Sequence, residues 1–351
     1  MNWRVPLSTL FVVQNYSPTL RSSIFSMLCT GLPFIAGLVF ARPLDGMLAA
    51  IFGMLLMLND YGGNLRQRMY NQLWIVGGLL LGSLLVMLIH QLLPQVNLRE
   101  HDYPALYLLC VLLITAGNGW AQGNGKLLEG FIRSIALALL VIVELPYIDL
   151  TLLIFLLGSA ALSVLARLLD HVLAPRQFDA AIIPLTENLA RAVNGSNNGW
   201  RYPLVYSACI VGGLLLGVLL GTGKPYWIAI TIMMTMRPDA ALNLIRSVQR
   251  IGGTLIGVAI AGLIVHYIHN LWWICAIVLL LGLTLPHGIP MNYGLHCTLL
   301  AAFVLLLFIT ATLQYGSDDV GLLRERVYDV VLGCVIALTG TLLAFPRKVQ
   351  G

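Results

Sequence analysis

Long apolar runs, each closed by a short polar or Gly/Pro-rich stretch, recur along the whole chain. A helix needs roughly 20 apolar residues to cross the hydrocarbon core of a bilayer. Twelve runs fit that template. The first six cover 20–41, 44–59, 71–93, 104–117, 127–147 and 150–170. The second six cover 203–221, 225–237, 247–269, 271–286, 293–314 and 326–345. The runs are continuously apolar rather than alternating, which argues against a membrane β-barrel. The pattern divides the chain into 1–173, a linker over 174–201, and 202–351. Inside the linker, 178–193 has apolar residues at helical spacing, with Glu187 and Arg191 four apart. That spacing predicts a short amphipathic helix on the membrane surface. The sequon Asn194-Gly195-Ser196 falls on the same side, where a chance match is the plain reading.

Composition turns this pattern into a fold class. The chain is 59% hydrophobic and 10% charged, against about 45–50% and about 25% in soluble domains. A soluble fold of 351 residues could not cover so much apolar surface; a bilayer removes that need. The expected class is an all-α integral membrane protein of about twelve transmembrane helices. The six cysteines all sit in apolar runs without a C-x-x-C pair, which reads as small buried hydrophobes. No metal site, cofactor or nucleic-acid partner is expected. The first 18 residues lack the small-residue cleavage site of a signal peptide. Neither G-x-x-x-x-G-K-[ST], H-E-x-x-H nor G-x-S-x-G occurs, so neither an ATP-driven step nor an enzyme is expected.

Charge placement sets orientation. With twelve spans, Arg42, Arg99, Lys224, Arg324 and Arg326 fall on one side, and the remaining fifteen of the 20 Lys and Arg on the other. Positive residues favour the cytoplasm, so both termini are expected there, in a bacterial inner membrane.

The two halves echo each other. Gly77, Gly78 and Gly82 in the third span recur as Gly252, Gly253 and Gly257 in the ninth. The short fourth and tenth spans both run into helix-breaking stretches, 117–125 and 286–294. Six is an even number, so two such repeats share one orientation and are expected to be parallel, related by a pseudo-two-fold axis along the membrane normal. Paired interrupted segments point to a transport site; plain cytoplasmic turns are the competing reading.

Ionisable residues within spans are costly and therefore informative, at about 2.5–3.5 kcal/mol near a helix centre. Arg246 and Arg250 are four apart and share a helix face, with Gln249 beside them. Two guanidiniums so placed call for an anion, either Asp239 in the preceding turn or a substrate carboxylate. Snorkelling, positive-inside anchoring is the alternative. Arg326 and Asp329 open the last span and could pair across the bundle or cap the helix. Tyr226 and Trp227 fit an interfacial belt or an aromatic ligand. Glu129 forms an i,i+4 pair with Arg133 in the fifth span, and Glu144 lies near its outer end. Asp239, Glu129 and Glu144 are the acids that could carry a coupling proton. His296, beside the second interrupted stretch, is either part of the site or a packing histidine.

From Tyr226 to Gly257 the chain resembles the fusaric-acid-resistance-like family of bacterial inner-membrane proteins, the aromatic acid exporter group. The residues that carry it are Tyr226-Trp227-Ile228-Ala229-Ile230-Thr231, Arg237-Pro238 and Arg246-Ser247-Val248-Gln249-Arg250-Ile251-Gly252-Gly253-Thr254 with Gly257. Arg326-Val327-Tyr328-Asp329 with Gly333 is similar to a second family signature. In the first half Ile75 stands where the second arginine would fall, so that half reads as a diverged copy. Many relatives carry a sizeable cytoplasmic domain after a six-helix unit, and here only the linker follows the first unit. The resemblance implies proton-coupled efflux of aromatic or other organic acids. On it, Arg246, Gln249, Arg250, Tyr226, Trp227, Thr231, Arg326 and Asp329 would bind substrate. Gly252, Gly253, Gly257 and Gly333 would pack helices. It also implies a periplasmic adaptor as a partner, and a bundle with short, gapped spans suits a homodimer. A passive anion channel and a non-transport envelope assembly role are the alternatives; the first predicts protonophore-indifferent flux, the second no stabilising ligand.

Overall fold

The computed structural model describes residues 19–59, 64–93, 100–143, 145, 149–173, 185–194, 199–312 and 319–345. Glu144, most of the linker before its helix, and Gly195 and Ser196 of the sequon lie outside them, as does the Arg191 side chain. The described residues fold into thirteen helices. The first group is α1 Leu20–Val39, α2 Pro43–Leu58, α3 Leu65–Leu92, α4 Ala105–Ala121, α5 Lys126–Ile142 and α6 Leu150–Leu173. The linker supplies α7, Leu185–Asn194. The second group is α8 Arg201–Leu219, α9 Tyr226–Thr235, α10 Ala240–Tyr267, α11 Leu271–Met291, α12 Tyr293–Thr312 and α13 Asp319–Ala344.

Eight of these (α1, α3, α6, α8, α10, α11, α12 and α13) are long and apolar enough to cross a membrane. Helices α2, α4 and α9 are apolar but shorter, and α5 carries Lys126, Glu129 and Arg133. The outside of the bundle is apolar and its inside is partly polar. Leu81, Leu84 and Leu88 form an exposed stripe on α3, while Asn71, Gln72 and Ser83 of the same helix are buried. Lipid tolerates that exterior, and water would not.

Local sequence explains the helix ends. Asn64 and Gln67 form a reciprocal capping box at α3. Asn270 caps α11 through the Trp272 amide. Pro43 sits in the first turn of α2, where its missing N–H costs nothing. At that end Arg42 bonds Asp45 at 2.6 Å and reaches Asp149 as well, tying α2 to the start of α6. The Leu152 amide and Arg42 hold the Asp149 carboxyl below the usual carboxylate range.

The interrupted stretches are less broken than expected. Gly117, Asn118 and Gly119 are helical, and α4 stops only at Ala121. The turn follows at Gly123 and Gly125, both with positive φ, a conformation glycine adopts at little cost. Helix α11 runs straight through Pro286 and Pro290 to Met291. Both stretches are therefore helix ends with tight turns rather than unwound backbone, because packed membrane helices absorb Gly and Pro. Their backbone is that of turns between helices, as the competing reading has it, with the membrane side left to the proposed topology.

Helix packing follows one scheme twice. Among α1–α6, α3 packs on α5, α1 on α2, α2 on α6 and α4 on α5. Among α8–α13, α10 packs on α12, α8 on α9, α9 on α13 and α11 on α12. The contacts between the groups also come in pairs: α1 with α11 and α4 with α8, then α2 with α12 and α5 with α9. Glycines bring one matching helix pair close together in each group. A Cβ on Gly78 or Gly82 would press into the α5 backbone at Phe131 or Ile135. A Cβ on Gly253 or Gly257 would press into the α12 backbone at Gly294 or Thr298. Gly333 likewise lies against Thr231 of α9. Gly252 is a correction: like Gly77 it faces open space, with nothing within 4 Å of a Cβ there among the described residues.

Candidate functional site

Helix α10 starts at an Asp239 N-cap, whose carboxylate accepts from the Ala241 and Leu242 amides at 2.8 and 3.1 Å. Asp239 is exposed there, so it does not bridge Arg246 and Arg250 as one sequence reading had it. Those arginines follow two and three turns along. Arg250 is buried, at 4% exposure. The next turns carry Gly253 and Gly257, which draw α12 close and set its first turns beside Arg250. Arg250 donates to the Tyr293 hydroxyl at 3.1 Å. The Arg246 guanidinium lies 5.3 Å from the centre of the same ring, a cation–π distance. Cys297 packs at Gly253, and buried His296 lies 6.5 Å, centre to centre, from Tyr293.

Helix α13 supplies the opposite wall. Arg326 is buried and stacks 4.7 Å from the centre of the Trp227 ring. Its Nε and Nη1 atoms have no hydrogen-bond partner among the described residues, nor has Nε of Arg250. Asp329 is fully buried, at 0% exposure, and neither carboxylate oxygen is hydrogen-bonded. The expected Arg326–Asp329 pair therefore does not close as a bonded ion pair. Arg250 and Arg326 lie within electrostatic reach of each other and of Cys297. Two buried cations and unbonded donors beside one unbonded carboxylate form a costly arrangement. It becomes favourable when an anion supplies acceptors.

The remaining expected residues are placed as follows. Trp227 meets Phe308 edge to face at 5.5 Å, and Tyr226 is buried beside it. The Thr231 hydroxyl donates to the Trp227 carbonyl of its own helix at 2.8 Å, so it serves packing against Gly333 and has its proton engaged. Gln249 is half-buried next to Gly294. The sequence signal for Tyr293 and Cys297 is weak. It is the polar sequence Tyr293, His296, Cys297 at helical spacing in an otherwise apolar run.

A second polar cluster joins the two helix groups. Glu129 of α5 accepts from Arg133 at 3.1 Å, the expected i,i+4 pair, and from Arg237 at 3.0 Å. Arg133 also donates to Asn59 at 3.2 Å. Next to it, Tyr206 donates to Asn118 at 2.9 Å and Tyr202 to Gln122 at 2.8 Å, linking α8 to α4. Breaking a buried pair by removing one partner costs about 3–5 kcal/mol, less here because these side chains keep 17–20% exposure. Glu129→Gln is expected to lower the melting temperature of the detergent-purified protein by several degrees; an unchanged melt would mean the cluster contributes nothing. A third cluster ties α1, α3 and α6, where Asp170 accepts from Arg21 at 2.6 Å and from Arg68 at 3.0 Å. Among the described residues no group of three His, Cys, Asp or Glu is placed to hold a metal ion.

Comparison with known proteins adds identity to this geometry. Residues 205–340 match the family described as fusaric acid resistance protein-like. An uncharacterized membrane protein, YvaC of Bacillus subtilis (strain 168), is 30% identical over 154 residues, 42% of this chain and 24% of its own length. An uncharacterized protein, YhfK of Escherichia coli (strain K12), is 28% identical over 140 residues, 39% of this chain and 19% of its own length. The match thus spans a quarter or less of these relatives. No solved structure matches. This is a multi-pass membrane protein whose second helix group, carrying the Arg250–Arg326 cluster, is similar to the fusaric acid resistance protein-like family.

Proposed function

We propose that this protein exports organic anions, aromatic carboxylates above all, across the bacterial inner membrane. The observation that carries the reading is the pair of buried guanidiniums, Arg250 and Arg326, with unbonded donors and aromatic faces at Tyr293 and Trp227. A benzoate-sized ligand supplies what that site lacks: a carboxylate for the donors and a ring for the aromatic faces.

The architecture in this reading is twelve spans in two parallel six-helix repeats, 1–173 and 202–351, joined by the linker 174–201. The paired helix packing and the matching glycine contacts support it. Both termini are cytoplasmic, following the Lys and Arg distribution. Transport is coupled to protons. Glu129 is the acid best placed for that role, since protonating it would release Arg237 and loosen α5 from α9 and α10. A homodimer and a periplasmic adaptor are the partners proposed.

The test is ligand-dependent stability. Saturating benzoate is expected to raise the melting temperature, by about 2.7 kcal/mol of stabilisation at 100 times Kd. Benzamide, a neutral isostere, is expected to do nothing. Equal effects of both, or of neither, would contradict an anion site.

A further inference from the structure

We propose that the anion crosses the membrane through the second helix group alone, along a line of cations and aromatic rings that passes Cys297. This rests on the anion reading above and adds the route to it. The line starts at Arg246, which lies over Tyr293, and continues to Arg250, which bonds the Tyr293 hydroxyl. Cys297 lies within electrostatic reach of Arg246, Arg250 and Arg326. From Arg326 the line passes to Trp227, then to Phe308 at 5.5 Å. It ends at Lys224, whose ammonium is 5.3 Å from the centre of the Phe308 ring, in the turn before α9. The positive charges thus follow one another from α10 through α13 to the turn before α9, flanked by rings along which an aromatic anion can pass without leaving a favourable field.

The first group lacks this line. Aligning α3 with α10 on Gly78/Gly253 and Gly82/Gly257 puts Asn71 in the place of Arg246 and buried Ile75 in the place of Arg250. The same glycine contacts align α5 with α12, so that Ser134 takes the place of Cys297. Gly130 then takes the place of Tyr293. A buried isoleucine in place of the central cation closes that half to anions.

Thiol labelling tests the route without any assumption about substrate. A variant keeping Cys297 as its only cysteine, and a Ser134→Cys variant with all native cysteines replaced by alanine, are reconstituted in lipid nanodiscs. Each is exposed to anionic sulfonatoethyl and cationic trimethylammonioethyl methanethiosulfonate, and modification is read by intact mass. Cys297 is expected to react about tenfold or more faster with the anionic reagent, and the Ser134→Cys thiol with neither. If the replaced background does not fold, peptide mass spectrometry on the wild-type chain reads Cys297 against Cys29 of α1 instead, a thiol also buried but away from the line of cations. A Cys297 no faster than its comparison thiol, or indifferent to reagent charge, overturns the route. If benzoate binds while Cys297 stays inert, the route fails and the anion site survives. If Cys297 shows the charge preference but benzoate neither binds nor slows labelling, the route stands and the aromatic-carboxylate reading falls.

Discussion

Replacing Arg250 with alanine is expected to remove the proposed benzoate binding and to leave the fold in place. In the proposed site Arg250 would offer a buried, charge-assisted donor set to the ligand carboxylate, and truncating one partner of such a contact costs about 2–5 kcal/mol. At about 1.4 kcal/mol per factor of ten, affinity falls by on the order of 100-fold or more. Stability behaves differently. Arg250 loses one bond, to Tyr293, but its removal also relieves repulsion with buried Arg326. The melting temperature of Arg250→Ala is therefore expected to stay near the wild-type value. Arg250→Lys keeps the charge but not the planar fork, so its affinity should fall between the two. Calorimetric titration with benzoate checks all three; an Arg250→Ala protein that binds like wild type would remove Arg250 from the site.

Gly253→Val is expected to cause the largest loss of stability of any single change at the site. A Cβ there meets the Gly294 carbonyl and the Cys297 side chain, and backbone cannot rotate out of the way. Helices α10 and α12 must part, at an overpacking cost of about 1–3 kcal/mol or more. The same separation would displace Tyr293 from Arg250, so binding falls with stability. Gly252→Val is the internal control: its Cβ meets nothing within 4 Å, and its melt should match wild type. Thermal unfolding in detergent distinguishes the two, and equal melts would contradict the packing described.

Much of the fold is legible in the sequence because hydropathy is local. The apolar runs mark each helix, although α3, α10 and α13 begin six or seven residues before their runs, and the Gly-x-x-x-Gly pairs 78/82 and 253/257 mark close packing of α3 on α5 and of α10 on α12. The adjacent Gly252 misleads because one residue turns a helix by about 100° and points it to another face. Asp239 shows the limit of reading charge without context. It stands directly before the first turn of α10, where an aspartate caps amides more often than it serves a distant arginine. The stretch 286–294 misleads for a different reason. Proline rules drawn from water-exposed helices overstate breakage where neighbouring helices re-satisfy the backbone.

The site is only half legible. Arg246, Arg250, Arg326 and Trp227 stand out, since charge and aromaticity are unusual at those positions. Their meeting is not readable, because it depends on α9, α10, α12 and α13 packing across up to about a hundred residues of sequence. Glu129 illustrates the same divide. Its bond to Arg133 follows from helical spacing, whereas its bond to Arg237 joins two helix groups and needs the fold.

The most direct test of the central claim is flux of radiolabelled benzoate in proteoliposomes under an imposed pH gradient. The account predicts accumulation that follows the gradient, collapses with a protonophore and is absent with Arg250→Ala. Flux unchanged by the protonophore would mean a passive channel. No flux above empty liposomes, or equal flux in Arg250→Ala, would contradict export through the arginine cluster.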